Sequence, residues 1–158
     1  MDSQSPPPSA ATPSRMFFGE YERGLDSKGR ITLPSQIREA LGDEDAILTR
    51  GLDKCLFLFP RSQFEELREK IRSIGLATRE ARNFRRHVFS GAAPVKPNGM
   101  GRINLPPYLR DFAELTDSVI VAGIDTYVEI WDTKRWQEQL AQLEEDAVNM
   151  ESWKHLGI

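Results

Sequence analysis

The chain contains a repeat at a constant offset, and this limits its fold more than any other feature. The segment Gly29-Arg30-Ile31-Thr32-Leu33-Pro34 returns 72 positions later as Gly101-Arg102-Ile103-Asn104-Leu105-Pro106. The same offset carries Gly19 onto Gly91, Arg38 onto Arg110, Gly51 onto Gly123 and Asp53 onto Asp125. Apolar positions follow: Ile47-Leu48 onto Val119-Ile120, Leu58-Phe59 onto Ile130-Trp131, and Phe64 onto Trp136. Read this way, the two copies align without a gap from Gly19 to about Glu66. Self-similarity at fixed spacing means that one supersecondary unit is used twice.

Each copy reads as strand, turn, strand, short helix, strand, turn, strand, helix. Residues 16–25 are mostly extended. Asp26-Ser27-Lys28-Gly29 has Asp first and Gly last, the preference of a type I turn. Ile31 and Leu33 alternate with polar neighbours, as in a half-buried strand. Ser35 is expected to cap a short helix that Gly42 ends. Ala46–Thr49 and Cys55–Phe59 read as strands around a Gly51-Leu52-Asp53-Lys54 turn. Phe64, Leu67, Ile71 and Ile74 then fall at helical spacing, and Trp136, Leu140 and Leu143 form the matching stripe. These stripes are expected to serve packing. Between the copies Thr78 can cap a helix whose Arg79, Arg82 and Arg86 share one basic face, with Phe84, Val88 and Phe89 inward. The expected class is mainly β with short helices (α+β). The plan is an N-terminal extension over 1–15, a repeat over 16–75, a connecting basic helix over 76–90, a second repeat over 91–143 and an acidic tail over 144–158. Residues 2–14 are Ser, Pro, Ala and Thr with almost no large apolar group, so disorder is expected there.

Charge is polarised along the chain. The formal net charge is −3. Residues 1–110 hold 18 Lys and Arg against 13 Asp and Glu, whereas residues 111–158 hold 3 against 11. At physiological salt, charges more than about 8 Å apart are largely screened, so a basic face can coexist with an acidic tail. No apolar run approaches the roughly 20 residues of a membrane span. The one cysteine, Cys55, lies in the apolar run Cys55-Leu56-Phe57-Leu58-Phe59, which suggests a buried thiol and a cytoplasmic, reducing setting. The two histidines, His87 and His155, stand apart from any Cys, Asp or Glu at metal-ligand or triad spacing. Gly99-Met100-Gly101 is not a phosphate-cradling loop. Catalysis, metal and cofactor are therefore not expected.

The candidate functional element is the hairpin Asp26-Ser27-Lys28-Gly29-Arg30. A tight turn lets a β-ribbon project into a DNA groove or against a phosphate backbone. Asp26 can bond to backbone amides of its own turn. Lys28 is a free charge at the tip, and Arg30 leaves the turn with a planar fork suited to phosphate or guanine. In the second copy Asn98 stands where Asp26 stands, Met100 replaces the tip lysine, and Arg102 matches Arg30. Asn98 can shape the same turn without the charge, so the second hairpin is expected to contact DNA more weakly or to serve subunit packing. Arg23, Arg38, Arg79, Arg82 and Arg86 are possible additional basic contacts.

The residues Asp26-Ser27-Lys28-Gly29-Arg30-Ile31, with Leu33-Pro34 and Arg38, resemble the repeat motif of the MraZ family of AbrB-like transcription factors. So do Thr49-Arg50-Gly51-Leu52-Asp53-Lys54-Cys55-Leu56 and Phe89-Ser90-Gly91-Ala92. The resemblance runs from about Met16 to about Leu143. It implies two tandem AbrB-like half-barrels forming a swapped-hairpin barrel within one chain. It also implies ring-like homo-oligomers that bind short direct repeats of double-stranded DNA in the promoter of the division and cell-wall gene cluster, as a nucleoid-associated repressor. The alternative is a protein-interaction module of the antitoxin-like type on the same barrel.

Overall fold

The computed structural model describes residues 16–148 and 151–157. The first repeat supplies β1 (Glu20–Gly24), β2 (Arg30–Thr32), α1 (Ser35–Leu41), β3 (Ala46–Arg50), β4 (Leu56–Pro60) and α2 (Arg61–Ile74). Helix α3 (Arg79–Gly91) leads into the second, which supplies β5 (Ala93–Val95), β6 (Arg102–Asn104), α4 (Pro107–Phe112), β7 (Ser118–Ile124), β8 (Tyr127–Asp132) and α5 (Thr133–Val148). A short α6 (Glu151–Lys154) follows. The fold is mixed α+β with antiparallel strands throughout. The expectation for residues 1–15 lies outside the described residues.

The two repeats are interleaved. One sheet has six strands in the order β1-β7-β8-β4-β3-β5, and the other has two, β2-β6. Strand β1 of the first repeat therefore pairs with β7 of the second, and β5 of the second pairs with β3 of the first. The ribbon β2–β6 takes one strand from each. Successive side chains on a strand point to opposite faces, so the six-stranded sheet has two apolar faces. On the inner face, Leu48, Leu58, Val121 and Ile130 meet Ile31 and Leu33 of one repeat and Ile103 and Leu105 of the other, together with Ile37 and Leu41 of α1 and Leu109 of α4. On the outer face, Ile47 and Phe59 are covered by Phe64 and Ile71 of α2 and Val88 of α3. Ile120 and Trp131 are covered by Trp136 of α5.

Three helices begin the same way. Pro34, Pro60 and Pro106 occupy the N-cap positions of α1, α2 and α4, with φ of −57°, −58° and −57°. The ring fixes φ near the required value and spends no N–H at a place where helical donors are unmatched. This corrects the role expected of Ser35. It is the first helical residue, and its hydroxyl meets Gln36 Oε1 at 3.3 Å rather than capping. Gly42 ends α1 with φ +66°. Thr78 caps α3, accepting from the Ala81 amide at 3.1 Å.

The packing stripes are buried at their N-terminal ends and fade outward. Phe64 and Ile71 are buried, whereas Ile74 is 59% exposed. Trp136 is buried, whereas Leu143 is 40% exposed. Cys55 is fully buried, its thiol donating to the Leu52 carbonyl at 3.0 Å.

The gapless alignment of the copies fails in one place. Ile47 pairs with Phe59, and the residue that pairs with the equivalent Trp131 is Ile120, not Val119. Leu48, on the inner face, likewise corresponds to Val121. The second copy has one extra residue before its strand β7 and regains register at a shorter turn. Three residues, 52–54, separate Gly51 from Cys55, where the Gly51 amide bonds to the Cys55 carbonyl. Two, 125–126, separate the paired Ile124 and Tyr127. Consequently Gly51 does not match Gly123. Arg50 does, and the absent side chain at Gly123 admits the backbone of Phe17 and Phe18, which a Cβ would meet at 2.3–2.6 Å.

Candidate nucleic-acid interface

The hairpin of the first repeat is closed by its own aspartate. The Gly29 amide donates to the Asp26 carbonyl at 3.0 Å, and Gly29 has φ +79°. Asp26 Oδ1 accepts from the Lys28 amide at 2.9 Å and the Arg30 amide at 2.8 Å. The other carboxylate oxygen, Oδ2, accepts from Arg30 Nε at 2.9 Å. The backbone bond from Arg30 is the main reason the Asp26 carboxyl is held below its ordinary pKa. The guanidinium is thus held through its Nε, and its two terminal nitrogens take no part in that grip.

The second hairpin repeats the turn without the grip. Asn98 Oδ1 accepts from the Met100 amide at 2.9 Å and the Arg102 amide at 3.0 Å, and Gly101 again has φ +79°. No bond ties the Arg102 side chain to Asn98 or to a carboxylate among the described residues. The tips differ too: Lys28 is exposed in one, and Met100, 64% exposed, stands in the other.

The interleaved ribbon brings the hairpins together. Arg30 lies opposite Asn104 and Thr32 opposite Arg102. Between them, Ile31 and Ile103 turn inward and are buried. A shallow groove is lined by Arg30, Lys96, Asn98, Arg102 and Asn104, with Pro94 and Val95. Arginines 72 positions apart in sequence thereby share one surface.

Each hairpin also rests on an arginine of the other repeat. Arg110 packs beneath Gly29 and Arg38 beneath Gly101. Arg110 is held by a bond from its Nε to the Leu105 carbonyl at 2.8 Å. Arg38, one of the residues singled out from sequence, therefore supports a hairpin from below.

The other expected basic contacts lie elsewhere. Arg23, on β1, donates to the Glu22 carbonyl at 2.7 Å. Arg79, Arg82 and Arg86 are on α3, which packs on the outer face of the six-stranded sheet while the ribbon packs on the inner face. Arg82 bonds to the Leu76 carbonyl at 2.9 Å, and Arg86 to Asn83 Oδ1 at 2.8 Å. They do not join the groove. Lys96, Thr32 and Asn104 were not singled out from sequence, since only the pairing of β2 with β6 and of β5 with β3 brings them to this surface; nor was Arg110, which lies beneath Gly29.

His87 Nε2 meets the Gly51 carbonyl at 2.8 Å, and its ring packs against Phe112, a structural placement. No group of three or more His, Cys, Asp or Glu suited to a metal occurs among the described residues. No described helix is long and apolar enough to cross a membrane.

Comparison with known proteins identifies the family. The model of the MraZ protein family, described as antitoxin-like, matches twice, over residues 16–87 and 88–153. The transcriptional regulator MraZ of Roseiflexus sp. (strain RS-1) is 46% identical over 132 residues, covering 84% of this chain and 92% of the relative. That of Halothermothrix orenii is 42% identical over 130 residues, covering 82% and 90%. Two matches to the family model in tandem, and relatives of this identity over most of both chains, place the chain in the MraZ family.

Proposed function

We propose that the chain is a sequence-specific, double-stranded-DNA-binding transcriptional regulator, a repressor acting through the ribbon surface. One observation carries the reading: two hairpins from distant parts of the chain deliver Arg30 and Arg102, with Lys96, Asn98 and Asn104, into one groove. Residues 16–75 and 91–143 are the functional repeats, joined over 76–90, and in this reading each repeat is one AbrB-like half of a swapped-hairpin barrel. A single ribbon covers few base pairs, and a small interface binds weakly. Several copies in a ring, each on one of a series of short direct repeats, raise avidity without any change in the individual interface. The target in this reading is the promoter of the division and cell-wall gene cluster, with the protein cytoplasmic and nucleoid-associated.

The test is a gel shift with the DNA upstream of the protein's own coding sequence. Binding is expected for the wild type and is expected to be lost in Arg30→Ala/Arg102→Ala. Light scattering is expected to give a particle much larger than a dimer, and a monomer at micromolar concentration would overturn the ring.

A second reading, a module that captures another protein, draws on the C-terminal end. Leu143, Val148 and Leu156 are exposed there, at 40%, 86% and 60%. If the gel shift fails while deletion of residues 144–158 abolishes capture of a protein partner, this reading replaces the first.

A further inference from the structure

The ribbon β2–β6 has an approximate two-fold axis that its side chains break. Exchanging the strands carries Arg30 onto Arg102 and Ile31 onto Ile103, but it carries Thr32 onto Asn104. The Leu105 amide bonds to the Gly29 carbonyl at 2.8 Å and the Leu33 amide to the Gly101 carbonyl at 2.9 Å. In an antiparallel pair hydrogen-bonded and non-bonded positions alternate, so Arg30/Asn104 and Thr32/Arg102 are the non-bonded pairs. These bring side chains closest, with Cα atoms about 4.5 Å apart. Ile31 and Ile103 being buried, all four residues project from the same, outer side of the ribbon.

The spacing suits DNA. Two residues along an antiparallel strand advance about 6.8 Å, and two base pairs rise by about the same distance at about 3.4 Å each. One end of the ribbon therefore presents Arg30 with Asn104, and the other, about two base pairs away, presents Arg102 with Thr32. The ends differ chemically. Arg30 is aimed by Asp26 at 2.9 Å, and beside it the Asn104 carboxamide offers a donor and an acceptor together. That pair matches N6 and N7 of adenine, as a guanidinium matches O6 and N7 of guanine. Among the described residues no carboxylate aims Arg102, and Thr32 offers one hydroxyl and a methyl.

We propose that Asn104 is a specificity-determining residue, reading an adenine next to the guanine read by Arg30. The Arg102/Thr32 end holds the duplex with less base discrimination. The consequence is an asymmetric recognition element that fixes which way each protomer faces on the duplex. This inference rests on the DNA-binding reading above.

The experiment selects binding sites from a randomised double-stranded DNA library with the full-length wild type, Asn104→Thr and Thr32→Asn. Asn104 is exposed and Thr32 half-exposed, and among the described residues neither makes a side-chain hydrogen bond. The wild type is expected to enrich a motif with an adenine beside a guanine at one end only. Asn104→Thr is expected to lose the adenine preference, by about tenfold or more in relative affinity. Thr32→Asn is expected to add an adenine preference at the other end. Identical motifs from all three proteins, with Arg30→Ala still defective, would overturn the role of Asn104 and leave DNA binding standing. If the wild type enriches nothing, the DNA-binding reading falls, and the assignment with it.

Discussion

Arg110 lies so close beneath Gly29 that a Cβ on the glycine would come within 2.7 Å of the guanidinium carbon. The pseudo-symmetric pair, Arg38 beneath Gly101, is as tight, at 2.8 Å to the same atom. Both glycines have φ +79°, so alanine at either carries the same backbone strain, about 1–2 kcal/mol. The arginines differ. Arg110 is half-buried and tied to the Leu105 carbonyl, whereas Arg38 is exposed and free to swing into water. Gly29→Ala is therefore expected to cost more stability than Gly101→Ala in urea melts. Arg110→Ala in the Gly29→Ala background is expected to recover part of the difference.

The two ribbon arginines are expected to separate in binding assays. Arg30→Ala should weaken operator binding more than Arg102→Ala, and should relax base preference, because its guanidinium is the aimed one. Arg102→Ala should act mainly on the salt dependence, lowering the slope of log K against log salt by roughly 0.9 for each phosphate no longer neutralised. A salt titration of the wild type and both variants on operator and random DNA measures both effects. Asp26→Asn keeps the turn, since Asn98 already supports the same two amide bonds, but releases Arg30. It is expected to reduce the operator-to-random affinity ratio while raising binding to random DNA.

Glu129 gives a pH-dependent prediction. It is half-buried on β8, accepting from Trp131 Nε1 at 2.9 Å, and burial raises its carboxyl pKa above the ordinary value. With the folded pKa above the unfolded one, the folded state binds more protons in that window, so stability falls as pH rises through it. Glu129→Gln retains an acceptor for the indole and removes the charge. It is expected to raise the melting temperature at pH 7–8, with the gain vanishing below the ordinary glutamate pKa. A melting series from pH 4 to pH 8 checks the sign.

Cys55 should be chemically silent. Burial, with Glu129 and Asp53 adding repulsion, pushes its thiol pKa well up, so little thiolate exists at any working pH. A thiol reagent at pH 8 is expected to label the protein only after denaturation. Labelling of the native state at the rate of a free thiol would contradict this burial.

Thr49 has no surface at all, and its hydroxyl donates to the Val88 carbonyl, joining β3 to α3. Thr49→Val keeps the shape and leaves that carbonyl without its partner. A loss of about 1–3 kcal/mol is expected in chemical denaturation, with the oligomer size unchanged.

Much of this was legible in the sequence because turn chemistry is local. Asp26, Gly29, Pro34 and Gly42 each act within a few residues, and each stands where its side chain or φ angle is used. Register between the copies was not legible. Strands β3 and β7 are buried on both faces, with Ala46–Thr49 and Val119–Ala122 apolar or sequestered without interruption. A strand lacking polar alternation carries no mark of which residue faces which side, so a slip of one residue leaves its hydrophobic pattern unchanged. Asn104 and Lys96 were missed for a different reason. Nothing near them in sequence says which strand will lie alongside, and their role arises from pairing partners far along the chain.

The crossing of β1 onto β7 has a consequence for how the protein is made. The Glu22 carboxylate accepts from the Ser118 hydroxyl across a separation of 96 residues. At about 5–20 residues per second of synthesis, β1 leaves the ribosome roughly 5–20 s before its partner exists. Through that interval the first repeat has an unpaired edge strand, and for most of it an inner face still lacking Ile103, Leu105 and Leu109. Its folding cannot finish until nearly the whole chain has emerged, so premature termination anywhere before β7 leaves a fragment with open edges, a substrate for chaperones and proteases.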